Sequence, residues 1–236
     1  MNNLALVRSQ IEARFPSAFK AIKRSEVEHL PTGIPAIDDL TNGGIPFNSL
    51  TEICGSSVAS SGKTSFLLSL LSQATQQGRY CALVDANDSF DLTSAEAAGV
   101  NLSLICWARC GKSRQKFIPL KQAFRATEEF LQNGGFGLIA VDISDIPEKY
   151  VRQIPLNDWF RLSKVLGDMP TALVFIEQHP HATSCARLVL RLITDRATFS
   201  GKLFTGFNLK AEVIRTRERK GIRSVTQGFS IKTKWA

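Results

Sequence analysis

The sequence predicts an α/β fold: a mostly parallel sheet with helices on both faces and an antiparallel extension at the C-terminal end. Short, almost continuously apolar runs alternate with segments of helical periodicity between residues 49 and 178. Parallel strands that are buried on both faces have this composition. The last strand-like runs follow one another without a helical segment between them, which indicates antiparallel pairing. With 236 residues, 44% of them hydrophobic, the chain can bury a full core.

Two units are expected along the chain: an N-terminal helical segment, residues 1–28, and the core, residues 29–236. The apolar residues of the first unit recur at helical spacing: Leu4, Val7, Ile11 and Phe15. Pro16 then interrupts the helical pattern. The segment can pack on its own domain, on a neighbouring subunit or on a partner, and the sequence leaves these alternatives open.

The core elements follow in order. A turn and a short helix occupy 30–40, and a tight turn at 43–46 leads into the first strand, 49–54. Further strands are predicted at 80–85, 102–107, 136–142 and 171–178, and two or three strand-like runs at 186–193, 209–215 and 223–232. Helices are predicted from 62 to about 78, in a short segment closed by Gly99, at 117–132 and at 159–166. The glycines that end them are typical helix stop signals.

Residues 55–65 have the composition of a phosphate-binding loop. They lie between an apolar strand and an amphipathic helix and contain Gly62-Lys63-Thr64. In such a loop, backbone N–H groups and the helix N-terminus surround an anion, the lysine adds a positive charge and the threonine hydroxyl can bind Mg²⁺. Six residues separate Gly55 from Gly62, and Ser57 stands where the usual spacing has its first glycine. The alternative is a Ser/Gly turn before an ordinary helix.

Asp142 ends an apolar strand about 80 residues beyond this loop. Ligands of open parallel sheets bind at the carboxyl ends of the strands, where an aspartate can hold a nucleotide-bound Mg²⁺. An aspartate in this position can also cap the following helix. Together with the loop, Asp142 favours the metal-binding interpretation.

The formal net charge is +8, and much of the positive excess lies in the last quarter of the chain. The basic residues there are Arg187, Arg191, Arg196, Lys202, Lys210, Arg215, Arg217, Arg219, Lys220, Arg223, Lys232 and Lys234. Only Asp195, Glu212 and Glu218 oppose them. Such a basic face can bind DNA through phosphate contacts. It can equally meet an acidic protein partner or be a solvated surface.

Several features point to a cytoplasmic protein. No apolar run approaches the roughly 18 residues of a membrane span, and the N-terminus lacks the layout of a secretory signal. The five cysteines are expected to be buried thiols in a reducing compartment. His179 and His181 are expected on a surface loop rather than in a metal site.

From these motifs, the sequence resembles the RecA family. The resemblance runs from about residue 30 to the C-terminus and is strongest between 30 and 91. The matching motifs are Pro31-Thr32-Gly33, Gly43-Gly44-Ile45-Pro46, Glu52-Ile53-Cys54-Gly55 and Ser60-Ser61-Gly62-Lys63-Thr64, the last being the end of a Walker A motif. The resemblance therefore implies a RecA-like P-loop NTPase core.

The resemblance also implies a ligand, ATP or ADP with Mg²⁺, and a role for individual residues. Those assigned to nucleotide binding are Gly55, Ser60, Ser61, Gly62, Lys63, Thr64, Ser65, Asp91, Arg215 and Arg217. Thr64 and Asp142 would hold the metal ion, and Gln178 would sense the γ-phosphate. Arg215 and Arg217 lie where the family has two lysines that reach the ATP of a neighbouring subunit, which implies a homo-oligomer.

The departures from the family pattern concern catalysis and DNA binding. Asn87 stands where the family has the glutamate that activates water, and an amide cannot accept that proton. Asp88 is a possible substitute, and Ser94 replaces the aromatic residue that stacks on adenine. The two DNA-binding loops are short, at 143–157 and 179–184. The chain is therefore expected to be a degenerate P-loop ATPase.

Among RecA-like proteins, the chain looks most like the ImuA branch, the RecA-like accessory of the bacterial mutasome. That resemblance implies a nucleoid-associated adaptor of error-prone translesion synthesis, within the SOS-type response to DNA damage. Its partners would be an ImuB-like polymerase homologue and an error-prone polymerase. The alternative is an active DNA-dependent ATPase of the RecA/RadA recombinase type.

Overall fold

The computed structural model describes residue 14 and residues 27–55, 61–111, 117–167, 169–200, 202–217 and 226–232. Apart from residues 14, 27 and 28, the predicted N-terminal helical segment lies outside the described residues. Ser57 and Ser60 of the predicted phosphate-binding loop lie outside them as well.

In the described part of the chain, an eight-stranded sheet forms the centre, with the strand order β10-β9-β8-β3-β7-β6-β4-β5. The strands are β3 (Ser49–Gly55), β4 (Cys81–Asp85), β5 (Ile105–Arg109), β6 (Leu138–Asp142), β7 (Ala172–Glu177), β8 (Ala186–Ser200), β9 (Leu203–Thr216) and β10 (Thr226–Lys232). Strands β1 (His29–Leu30) and β2 (Ile45–Pro46) form a separate antiparallel pair. In the main sheet, β8, β3, β7, β6, β4 and β5 run parallel, and β9 and β10 are antiparallel additions.

Helices cover both faces of the sheet and enclose two cores. The helices are α1 (Pro35–Leu40), α2 (Lys63–Gln76), α3 (Leu92–Ala97), α4 (Phe117–Asn133), α5 (Glu148–Val151) and α6 (Leu156–Leu166). Helices α1, α2 and α3 bury apolar side chains against one face, and α4, α5 and α6 against the other. The strands alternate between these cores: Ile53 belongs to the first, and Leu50 and Cys54 to the second.

The predicted architecture is confirmed, and the structure corrects several boundaries. A short 3₁₀ helix occupies Leu102–Leu104, so strand β5 begins only at Ile105. Helix α6 begins at Leu156, directly after Pro155, whose fixed φ suits a position just before a helix. Strand β8 continues to Ser200, seven residues beyond its predicted end at 193. This extension has no apolar run, and pairing with β9 keeps it extended.

The expectation for the cysteines holds only in part. Cys54, Cys81 and Cys185 are buried, whereas Cys106 is exposed on strand β5. Strand β5 is the end strand of the sheet in the described part of the chain. Its side chains therefore lack a neighbouring strand on one side, which a run of apolar residues in the sequence does not reveal.

Candidate functional site

The predicted phosphate-binding loop joins the carboxyl end of β3 to the first turn of α2. Gly62 caps the helix with φ +74°, a left-handed conformation that glycine adopts without strain. A Cβ at Gly62 would also collide with the Leu209 side chain of β9. A Cβ at Gly55 would lie 2.9 Å from the carbonyl oxygen of Leu192 on β8. Strand β8 therefore packs against the start of the loop, and the antiparallel strand β9 packs against its end.

Lys63, the first residue of α2, is a buried cation at this position. Its Nζ donates to the carbonyl oxygens of Gly55, at 3.2 Å, and Glu177, at 3.4 Å. Burial lowers the pKa of Lys63, while the carboxylates of Asp142 and Asp145 act in the opposite direction. The ammonium thus lies between the loop and the end of β7, where it can contact a bound phosphate.

Asp142 lies beside Asp85 at the carboxyl ends of β6 and β4. Its Oδ1 accepts a hydrogen bond from the backbone N–H of Ser144 at 2.9 Å. Burial raises the pKa of Asp142, and this effect exceeds that of the Ser144 hydrogen bonds, which lower it. A divalent cation would stabilise the carboxylate form of such a group. Asp142 and the exposed hydroxyl-bearing Thr64 therefore fit the predicted Mg²⁺ ligands chemically.

The loop after β4 holds Asn87, the residue at the position predicted for the general base. The Asp85 carboxylate accepts hydrogen bonds from the backbone N–H groups of Asn87, Ser89 and Phe90 at 2.9–3.2 Å. Both polar atoms of the Asn87 amide are buried and have no hydrogen-bond partner among the described residues. The loop is thus fixed by Asp85 and presents an amide that cannot act as a base.

Asp88 and Asp91 are both engaged in local contacts. The two Asp88 oxygens bind Arg109 at 2.6 and 2.9 Å, and the Arg109 guanidinium lies 4.8 Å from the Trp107 ring centre. Asp91 is the N-cap of α3 and accepts from the N–H of Ser94 at 2.7 Å. The structure gives Asp88 a structural ion pair, so its role as a substitute base would require this pair to open. The adenine contact of Asp91 stays a prediction.

Gln178 follows β7 and reaches the turn after β6. Its amide Nε2 donates to the carbonyl oxygens of Ser144, at 2.9 Å, and Ile146, at 3.4 Å. The carboxyl ends of β3, β7 and β6 therefore bring Lys63, Gln178 and Asp142 to one edge of the sheet.

Comparison with known proteins agrees with this arrangement. The model of the RecA N-terminal domain matches residues 4–146, which is more than half of the chain. The chain belongs to the RecA family.

Individual RecA proteins are similar over parts of the chain. RecA of Aquifex pyrophilus is 32% identical over 147 residues, which cover 60% of this chain and 40% of that protein. RecA of Mycoplasma genitalium is 27% identical over 177 residues, covering 68% of this chain and 49% of that protein. The chain thus spans less than half of the length of these relatives.

In this RecA-family chain, Arg215 and Arg217 lie away from its own phosphate-binding loop. Arg215 pairs with Val189 on β8, and the Arg217 N–H donates to the carbonyl of Arg187 near the amino end of β8. The Arg215 Nη2 is 3.7 Å from the Glu52 carboxylate, and the Arg217 guanidinium contacts the carbonyl oxygen of Ser184. A contact with nucleotide would therefore involve a second copy, and it stays a prediction.

The segment predicted as the second DNA-binding loop is a packed crossover between β7 and β8. Glu52 Oε1 accepts from the backbone N–H groups of His181, at 2.6 Å, and Ala182, at 2.5 Å. His181 Nδ1 lies 3.0 Å from Glu177 Oε2, and the His181 side chain is only 11% exposed. The surface position expected for His181 is therefore wrong, whereas His179, with a 57% exposed side chain, does lie on the surface.

Glu52 and Glu177 were missed by sequence reasoning. Both carboxyl groups are buried, and burial, followed by the neighbouring Glu52 charge, raises the pKa of Glu177 well above its ordinary value. The signal was available, because Glu52 lies inside the predicted strand β3 and Glu177 directly follows the apolar run of β7. An acid in such a run needs buried partners.

The first predicted DNA-binding loop is also largely packed. Ile146, Val151 and Ile154 contribute to the core beneath α4 and α6.

In the basic C-terminal region, Arg191 pairs with Glu212 at 3.5 Å and Lys210 with Asp195 at 2.7 Å. Part of the positive charge is thus neutralised, and residues 218–225 lie outside the described part of the chain. None of the helices in the described ranges is long and apolar enough to cross a membrane.

Proposed function

We propose that this chain is a RecA-like accessory protein of DNA damage tolerance that binds nucleotide weakly and hydrolyses it slowly. The observation that carries the proposal is Asn87: an amide occupies the position predicted for the base, while Lys63, Thr64 and Asp142 are present in the sequence. A positioned general base contributes roughly 10²- to 10⁴-fold to such a step. An adaptor that uses nucleotide for stability or binding rather than turnover would keep Lys63 and Asp142 and lose the base.

The nucleotide would be ATP or ADP with Mg²⁺. Lys63 and the N-terminus of α2 would contact its phosphates, and Thr64 and Asp142 would hold the metal ion. Gln178 would contact the γ-phosphate only after leaving the carbonyl oxygens of Ser144 and Ile146, to which it donates here. That exchange lowers the net gain from binding, which agrees with weak affinity.

The partners we propose are proteins of a translesion polymerase complex, an ImuB-like polymerase homologue among them. DNA would contact the basic C-terminal face, since both predicted DNA-binding loops are short and packed. A bacterial, cytoplasmic and nucleoid-associated location follows from this role. Self-association is part of the proposal, because Arg215 and Arg217 can meet a nucleotide only in a second copy.

The alternative is an active DNA-dependent ATPase of the RecA/RadA type. It is favoured by the arrangement of Lys63, Asp142 and Gln178 at one edge of the sheet. Steady-state ATP turnover with and without single-stranded DNA separates the two. The adaptor predicts slow turnover that DNA does not stimulate, together with measurable binding of Mg-ATP and of a purified ImuB-like partner. Turnover stimulated strongly by DNA supports the alternative.

A further inference from the structure

The turn between β6 and α5 carries an exposed acid, Asp145. Its backbone is fixed, because the N–H of Ile143 donates to Ile176 and that of Ile146 donates to Ile143, both at 3.0 Å. No hydrogen-bond partner of the Asp145 side chain is found within the described ranges. The turn thus holds a carboxylate at a defined position and leaves its oxygens available.

Gln178 forms hydrogen bonds to this turn on both sides of Asp145. Its Nε2 donates to the carbonyl oxygens of Ser144 and Ile146, the residues that flank the acid, at 2.9 and 3.4 Å. The residue before Gln178 is Glu177, whose carbonyl oxygen accepts from Lys63 Nζ at 3.4 Å. A short chain of contacts therefore connects the Lys63 ammonium to the turn that carries Asp145.

The turn that carries Asp145 is nearer to the phosphate-binding loop in the strand order than the loop that carries Asn87. The loop follows β3, and the order β3-β7-β6-β4 puts the turn after β6 one strand nearer to it than the loop after β4. Neighbouring strands lie about 4.8 Å apart. The electrostatics agree, since the Asp145 carboxylate acts on Lys63 and opposes the lowering of the Lys63 pKa by burial.

The other acids along this edge are already engaged. Asp85 accepts hydrogen bonds from three backbone N–H groups, Asp88 binds Arg109, and Asp91 caps α3. Asp142 accepts from Ser144 and is the predicted metal ligand. Glu177 also acts on Lys63, but its side chain is only 1% exposed, and its Oε2 lies 3.0 Å from His181 Nδ1. Among the described residues, Asp145 is the exposed acid at this edge that combines open oxygens with an electrostatic effect on Lys63.

We propose that Asp145 is the general base for the slow ATP hydrolysis of this chain, an inference that rests on the proposed function. Its carboxylate takes a proton from a water molecule while the water oxygen forms a bond to the γ-phosphorus. The bond between that phosphorus and the β–γ bridging oxygen breaks, and ADP leaves with the electron pair. The proton then passes from Asp145 to solvent. Because the carboxylate is exposed, it positions water less firmly than a buried glutamate, and turnover is slow.

The experiment compares Asp145→Asn with Asp39→Asn, the same change at an exposed aspartate of α1. Single-turnover hydrolysis of radiolabelled ATP by excess protein gives the rate, and calorimetry gives the affinity for Mg-ATP. We expect Asp145→Asn to lower the rate about 10-fold or more. The affinity should be unchanged or higher, since a negative charge near the phosphates is lost. Asp39→Asn should behave as wild type.

A second background makes the test specific to the proton transfer. In Asn87→Glu, a glutamate supplies the base, so adding Asp145→Asn should change the rate less than about 2-fold. An unchanged rate in the single Asp145→Asn variant, with binding intact, overturns the inference and leaves the proposed function standing. The inference is also overturned, with the proposed function left standing, if the wild type binds Mg-ATP but hydrolyses it no faster than Lys63→Ala does. Loss of Mg-ATP binding in the wild type itself overturns both.

Discussion

The carboxylate of Glu52, on the strand that leads into the phosphate-binding loop, accepts a hydrogen bond from the backbone N–H of His181 at 2.6 Å, across 129 residues of sequence. It accepts a second from the N–H of Ala182 on the same oxygen. One buried side chain thus fixes the crossover to β8 and also faces Arg215.

Replacing Glu52 should therefore destabilise the fold. Glu52→Ala leaves two backbone N–H groups without an acceptor, and each buried unsatisfied group costs about 1–3 kcal/mol. We expect a loss of about 2–5 kcal/mol in the free energy of urea unfolding. Glu52→Gln keeps an oxygen acceptor and should lose less than half as much. Equal losses in the two variants would show that the charge, and not the acceptor, is what the crossover needs.

A matched pair of glycines tests the packing of the extension against the loop. Gly62 and Gly78 have nearly equal φ, +74° and +73°, but a Cβ would collide with Leu209 only at Gly62 and meets nothing within 4 Å at Gly78. Both alanine variants incur the left-handed cost of about 1–2 kcal/mol. Gly62→Ala should lose at least about 1 kcal/mol more in thermal or urea unfolding, and Leu209→Ala should recover part of this difference. Equal losses at the two glycines would contradict the contact.

Much of this architecture could be predicted from the sequence because the signals are local. The apolar runs that became β4, β6 and β7 are buried on both faces, and Gly62-Lys63-Thr64 lies between a strand and a helix. The far half of β8 escaped prediction, since its mixed residues are extended only through pairing with β9.

The missed parts of the site depend on contacts between distant residues. Glu52 finds its buried hydrogen-bond donors, and Glu177 its contact with His181, only when the crossover between β7 and β8 has packed against them. The ion pair of Asp88 with Arg109 joins the loop after β4 to β5, and the sequence does not state that β4 and β5 are neighbours. The hydrogen bonds of Gln178 to the turn after β6 likewise require β7 and β6 to be adjacent.

Nucleotide binding should depend on Lys63. Lys63→Ala removes the buried ammonium that lies between the loop and β7, so calorimetric binding of Mg-ADP should be lost. Lys164→Ala, on an exposed position of α6, is the control and should bind as wild type. An absence of heat in the wild type at millimolar nucleotide, or binding that survives in Lys63→Ala, would contradict a functional phosphate site.

Any DNA binding should be electrostatic and insensitive to sequence. If three phosphates of single-stranded DNA are contacted, raising the salt concentration from about 50 to about 200 mM should weaken binding roughly 20-fold, because counterion release dominates the affinity. The exposed residues Arg196 and Lys202 lie on the β8–β9 hairpin and its turn, and reversing both charges should weaken binding and flatten the salt dependence. Fluorescence anisotropy with two unrelated oligonucleotides measures both effects. Sequence-selective or salt-independent affinity would contradict the account.

The central claim is that Asn87 limits hydrolysis at a site that still binds nucleotide. The most direct measurement is the single-turnover rate of ATP hydrolysis in wild type, Asn87→Glu and Asn87→Gln. The last variant lengthens the side chain as glutamate does but adds no base. We expect Asn87→Glu to raise the rate at least about 10-fold and at most by the roughly 10²- to 10⁴-fold that a well-positioned base contributes, and Asn87→Gln to leave it unchanged. No increase in Asn87→Glu despite measured Mg-ATP binding would contradict the claim, as would rapid wild-type turnover that Asp88→Ala abolishes.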